Sequence, residues 1–284
     1  MVSYVPKPRL NLVRLAIITQ QPCDVPFMTS VSLVYSLEFK RCYLLTALIP
    51  PVFVDYVSSL KPLIVVEGYE WHKWRPTFCE YDSKLKRLVT KLDFDSVKRY
   101  DYEVKVWNRG LLAPDIYDLV LLQGRMKYAF ARPLEIYREA KSKDPGLPDV
   151  SEQVLSYHFT RHVKSMWAYN SITLYSQHPT RVFYFEGYGA PALARILSLF
   201  PYSIESIVDV DKALVVTQLP SAYDEYVMKL GEHFSIDEHF YFIRANTVKV
   251  DLKLWKYVEG RRWIEGGHGL RQLARRVFNY LPLR

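Results

Sequence analysis

The most apolar stretch of the chain, residues 31–57, is interrupted by Glu38, Lys40, Arg41 and Asp55 and by the Pro50–Pro51 pair. A helix that crosses a bilayer needs about 20 consecutive apolar residues. Residues 31–57 therefore read as two elements of a buried core joined at a break, and no membrane span is expected. Short apolar runs of this kind recur through the first third. Residues 10–19, 30–48, 63–69, 77–81, 85–92 and 102–107 are rich in β-branched and aromatic side chains with polar turns between them, as strands are. Residues 50–60 predict a short helix linking two strands, residues 116–122 form a further apolar run, and residues 132–143 are helical by composition.

The run KSKDPGLPD at 141–149 mixes charge, two prolines and a glycine, the composition of a domain edge. Beyond it the pattern changes. Residues 150–167 read as a helix, followed by strand 181–185, helix 191–200 and strand 206–210. Strand 213–217, helix 222–232, strands 239–244 and 247–252 and an amphipathic helix 269–280 complete the chain. No internal repeat is visible in the sequence. The expected fold class is α/β (α+β), with a β-rich N-terminal domain at 1–145 and an RNase H-like mixed-sheet domain at 146–284.

At 284 residues and 49% hydrophobic, the chain can bury a sizeable core, and 24% charged residues argue against wholesale disorder. Lys and Arg exceed Asp and Glu by 38 to 30, a net charge of +8 that favours polyanionic partners, nucleic acid first. Cys23, Cys42 and Cys79 are dispersed and form no CxxC pair, so neither a disulfide framework nor a zinc knuckle is indicated. A reducing, cytoplasmic location is expected, and Lys7 and Arg9 interrupt the N-terminus where a signal peptide would be apolar.

Several residue patterns bear on chemistry. In RVFYFEGYGAPALARILSLF, a strand ends in Glu186, then Gly187 and Gly189 precede a helix. Glycines let backbone approach a ligand, and Asp209 at the next strand end could accept ribose hydroxyls. This loop resembles the cofactor loop of Rossmann-like methyltransferases, which would imply S-adenosylmethionine bound by Glu186, Gly187, Gly189 and Asp209. A plain βα turn gives the same pattern. Asp93–Asp95 and Asp209–Asp211 alternate with apolar residues, as metal sites and solvent-facing strand edges both do. His158 and His162 lie four apart on one helix face, a metal-compatible spacing without a third ligand nearby in sequence. A surface or packing role is expected for this pair, and no metal.

From residue 147 onward the order of features resembles the exonuclease region of family B DNA polymerases. FYFEGYG at 183–189 stands where that family has a strand with Asp-x-Glu, keeping Glu186 and placing Tyr184 at the aspartate position. Residues 213–234 match its second motif, with Asp224 as the ligand, and residues 250–255 and 268–282 match later elements. The resemblance implies a non-cleaving relative, because two-metal hydrolysis needs several carboxylates and only Glu186 and Asp224 remain.

Residues 249–284 carry nine Lys and Arg against three acids. Lys253, Lys256, Arg261, Arg262, Trp263, Arg271, Arg275 and Arg276 interleave cations with an aromatic ring, which suits phosphate neutralisation and base stacking. The leading expectation is a non-catalytic nucleic-acid-binding protein, with DNA favoured over RNA, related to family B polymerases and associated with a larger protein subunit, without a cofactor and without a membrane. The methyltransferase reading and a structural subunit of a larger assembly stand as alternatives.

Overall fold

The computed structural model describes residues 2–6, 12–21, 23, 25, 27–74, 79–90, 114–260 and 262–263. In chain order these form β1 (Val2–Pro6), β2 (Val13–Thr19), β3 (Met28–Ser36), β4 (Lys40–Ile49), α1 (Val54–Ser59), β5 (Ile64–Gly68), β6 (Glu70–His72), β7 (Cys79–Asp82) and β8 (Arg87–Thr90). Then come α2 (Ile116–Lys127), α3 (Pro133–Lys143), α4 (Glu152–Arg161), β9 (Trp167–Ile172), β10 (Thr180–Glu186), α5 (Ala190–Leu197), β11 (Ser203–Val208), β12 (Lys212–Thr217), α6 (Asp224–His233) and β13 (Glu238–Lys249). The expected strand at 102–107, the Asp93–Asp95 pair and the expected helix at 269–280 lie outside the described residues.

Nine strands form one sheet in the order β5-β2-β4-β3-β13-β10-β12-β11-β6. Every neighbouring pair is antiparallel. The two ends of this row, β5 and β6, are one continuous segment broken only at Tyr69, so the sheet curls round to meet itself. At the seam the Glu67 amide donates to Asp209 Oδ2 at 3.0 Å. Gly68 leaves no room there, because a Cβ would lie 2.6 Å from the Arg14 carbonyl oxygen and 2.9 Å from Ile207 Cγ2.

Side chains alternate across such a sheet, and here the two faces have separate cores. Ala16, Ile18, Val34, Leu44, Val66, Val182, Tyr184, Ile207, Leu214 and Phe242, drawn from eight strands, pack together inside the barrel. The outer face is covered twice. Residues of α2–α4 lie over β2, β3 and β4, whereas α5 and α6 lie over β10, β11 and β12. Among the described residues no helix is long and apolar enough to cross a membrane.

This architecture corrects the expected RNase H-like mixed sheet. The strand–helix–strand pattern of residues 180–208 is real, but α5 carries the chain across β12 before β11 is laid down. The intervening antiparallel strand is what a linear reading cannot see. The strands expected at 239–244 and 247–252 are one strand, β13, whose register shifts between Arg244 and Thr247.

The structure also contains a duplication that the sequence hides. Taking each half by itself, β2, β3, β4 and β5 lie in the order fourth-first-third-second, and so do β10, β11, β12 and β13. The second strand of each half pairs with the fourth strand, or its continuation, of the other: β3 with β13 and β11 with β6. The halves differ in the link between their first two strands: α5 joins them in the second half, whereas only eight residues separate β2 from β3 in the first.

Candidate metal centre

Helix α2 opens on Asp115, an N-cap whose Oδ1 accepts the Asp118 amide at 3.0 Å. Asp118 returns the contact, with Oδ2 accepting the Asp115 amide at 3.3 Å. Such reciprocal capping satisfies two of the amides that a helix start leaves without partners. It also spends one oxygen of each carboxylate and fixes where the other points. The remaining oxygens, Asp118 Oδ1 and Asp115 Oδ2, face α4.

Helix α4 starts at its own cap, Ser151, and turns His158 and His162 to the same side as buried Leu155. His158 Nδ1 lies 2.9 Å from Asp118 Oδ1 and 3.5 Å from Asp115 Oδ2. His162 Nδ1 lies 3.0 Å from the same Asp118 Oδ1 and 3.2 Å from Oδ2. The imidazoles stand perpendicular, centroids 5.1 Å apart, flanked by the rings of Tyr117 and Tyr157. One potential ligand atom from each of Asp115, Asp118, His158 and His162 falls within 4.8 Å of all the others. The Asp118 side chain is only 3% exposed, whereas His162 is 25% exposed, which leaves a path from solvent.

Ligand bonds of about 2.0–2.2 Å in a tetrahedral zinc-type site put neighbouring donor atoms roughly 3.4 Å apart. The contacts of 2.9, 3.0 and 3.5 Å bracket that separation. Without an ion, an imidazole that donates to Asp118 Oδ1 needs its proton on Nδ1. An ion would replace those protons and present the same carboxylate oxygens with two nitrogens. The sequence shows the His158–His162 spacing but not the third and fourth ligands, which come from a helix start some 40 residues earlier. The Asp-x-x-Asp cap at 115–118 was the signal available.

The residues expected to carry function stand elsewhere. Glu186 accepts a hydrogen bond from Tyr184 and lies 3.4 Å from Lys212, while Asp224 is paired with Arg181. Each of the two carboxylates has its own partner, Glu186 ends a strand of an antiparallel barrel and Asp224 opens α6, so the exonuclease-like and polymerase-related readings fall. The methyltransferase loop is filled by its own chain. A Cβ on Gly189 would lie 2.0 Å from the Phe234 carbonyl oxygen, and Gly187, at φ +124°, packs against Asp237. Asp209 is spent on the Glu67 amide, and burial pushes its carboxyl up.

Of the basic set, Lys253 donates to the Lys143 carbonyl oxygen at 2.7 Å and Lys256 lies 3.3 Å from Asp144. The Trp263 ring packs edge-on against Phe27, so its indole belongs to the core rather than to a stacking surface. Arg262 lies in a two-residue strand, and Arg261, Arg271, Arg275 and Arg276 fall outside the described residues. The polymerase-related reading therefore loses its fold, and of the described basic set Lys253, Lys256 and Trp263 make contacts within the chain.

Fold and site together describe an antiparallel barrel of two like halves with a helical lobe that brings two aspartates and two histidines to one point. No protein-family model and no curated protein matches the sequence. Among solved structures, the chain is similar to the siroheme decarboxylase NirDL, with 7% identity and a TM-score of 0.44 over 98% of this chain and 83% of that one. The same enzyme in complex with an iron-uroporphyrin III analogue gives 8%, a TM-score of 0.42, and coverage of 98% and 81%. An anthrone oxidase-like protein gives 6%, a TM-score of 0.34, and coverage of 89% and 98%. Likenesses this distant leave the activity to be read from the residues of this chain.

Proposed function

We propose that this chain is a metal-binding protein that holds one divalent first-row transition ion, of the zinc or cobalt type, between α2 and α4. The observation that carries the reading is the convergence of Asp115, Asp118, His158 and His162 within 4.8 Å. Two imidazoles and two carboxylates suit such ions better than magnesium or calcium, which prefer all-oxygen shells. Four protein ligands leave no open position for substrate, so the ion ties helices together rather than activating water. The caps that orient both carboxylates act as the outer layer that tunes a metal site.

Cobalt(II) titration of chelator-treated protein tests this directly. Visible absorption of tetrahedral intensity should saturate at one ion per chain. It should be lost in Asp118→Asn and in His158→Ala, and zinc should raise the melting temperature of the parent only, because an ion bound to the folded state alone stabilises it. Absence of a saturable cobalt signal, or an equal signal in both variants, would refute the assignment.

A further inference from the structure

The barrel has a second polar site, at the end where β2 begins and β13 finishes. Arg14 reaches inward with Nε and Nη2 on Glu205 Oε1 at 3.0 and 2.7 Å, and its Nη1 donates to Thr29 at 2.7 Å. Two cations approach the Trp71 ring, the Arg14 guanidinium at 5.0 Å and the Lys73 ammonium at 5.3 Å from its centre. Hydroxyls line the same end. Thr29 and Ser30 both meet Thr46, at 2.9 and 2.6 Å, and Ser32 meets Thr247 at 2.8 Å. Arg244 enters from β13 opposite Val34, and Lys249 closes the rim opposite Ser30. Thr247 and Lys249 are exposed, so this mouth opens to solvent.

The charges here do not balance. Arg14 and Glu205 neutralise each other, and neither Lys73 nor Arg244 makes an ion pair with a described residue. Desolvating a charge without an opposite partner is unfavourable. A protein that keeps two such cations in a barrel mouth, where ligand sites commonly form, has them placed for a negative partner. We propose that the mouth formed by Arg14, Lys73, Arg244 and Lys249 around Glu205 binds a small organic anion carrying at least two carboxylate or phosphate groups. Two anionic groups are needed because one could satisfy Lys73 or Arg244 but leave the other bare. Trp71 offers a flat apolar surface beside the anionic groups. Burial draws Lys73 and Arg244 toward their neutral forms, and the Glu205 carboxylate, whose charge both cations share with Arg14, opposes this. A bound dianion would restore both. This inference is independent of the metal centre on the helical lobe.

The test uses chelator-treated protein, melted in citrate, pyrophosphate or acetate against sodium chloride of equal ionic strength. Citrate or pyrophosphate should raise the melting temperature by several degrees and acetate should not; whichever acts reports a carboxylate or a phosphate preference. In Lys73→Met and in Arg244→Met the rise should shrink to the level of sodium chloride, with at least tenfold weaker binding by calorimetry. Lys229→Met, an exposed site on α6, should respond like the parent. Lys73→Met in anion-free buffer should melt no lower than the parent, since it removes a half-buried charge that has no ion-pair partner among the described residues. No rise in the parent, or a rise retained in both mouth variants, would overturn the proposal. If one variant fails to fold, the other decides.

Discussion

Replacing Glu70 by glutamine should cost about 3 kcal/mol at pH 7 and far less in acid. Glu70 sits on β6, the short strand that closes the barrel. Arg195 of α5 grips its carboxylate with Nε at 2.9 Å and Nη2 at 2.7 Å, and His72 adds a contact at 2.9 Å. Burial pushes the carboxyl up, but the hydrogen bonds from His72 and Arg195 outweigh it and leave it at about 2 against an ordinary 4.5. At 1.36 kcal/mol per pH unit, that difference is worth roughly 3 kcal/mol. A carboxyl with a lowered native value contributes its stability above pH 4.5 and loses it as pH falls toward 2. At pH 3 the same linkage leaves only about 1.4 kcal/mol. Urea unfolding of the parent and of Glu70→Gln at pH 7 and pH 3, followed by tryptophan fluorescence, measures both gaps. A gap that is the same at the two pH values would refute the argument, since it would mean that packing, not charge, sets the cost. Arg195→Met should be at least as harmful as Glu70→Gln at pH 7, because it leaves the carboxylate buried beside a histidine alone.

Two other outcomes follow from close contacts. Gly189→Ala should lower the urea midpoint sharply, by an amount equivalent to about 3 kcal/mol or more, since its Cβ would collide with the Phe234 backbone; a near-neutral effect by circular dichroism would show that the α5–α6 junction can shift. Cys42 is fully buried in the barrel interior and burial pushes its thiol up, so a colorimetric thiol reagent should label the partly exposed Cys23 and Cys79 in the native protein and reach Cys42 only after denaturation. Rapid native labelling of Cys42 would contradict the closed barrel.

Much of the local structure is legible from the residues themselves. The runs at 10–19 and 63–69 become β2 and β5, the two prolines at 50–51 do open a helical link, and the helices expected at 132–143, 191–200 and 222–232 appear within a few residues of those bounds. What cannot be read locally is which strand lies beside which. The apolar runs of β10 and β11 suit neighbours or non-neighbours equally, and the placement of β12 between them is a decision of the whole sheet. Sites suffer in the same way. His158 and His162 announce themselves by spacing, whereas Asp115 and Asp118 look like an ordinary cap. Arg14, Lys73, Glu205 and Arg244 come from four separate segments, and only closure of the barrel makes them one cluster. The basic C-terminal run drew attention by composition, yet Lys253 and Lys256 bind the α3 terminus instead.

The closed circuit of strands has a consequence for how this protein can meet others. An open sheet ends in unpaired amides and carbonyls that recruit an extra strand from another chain, whether as a peptide ligand or as the first step of aggregation. Here the row of nine returns to itself, so strand addition to this sheet must first break a ladder, and only the small pairs β1–β9 and β7–β8 keep edges of their own among strands β1 to β13. The weakest ladder is the seam, where β6 matches β11 over Glu70, Trp71 and His72 alone. Amide hydrogens along that short stretch should exchange ahead of those on β10 and β12, and conditions that unclip Glu70 from Arg195 would at once loosen the wall and bare two edges. Acid stress would then appear first as self-association through the seam, before the halves themselves unfold.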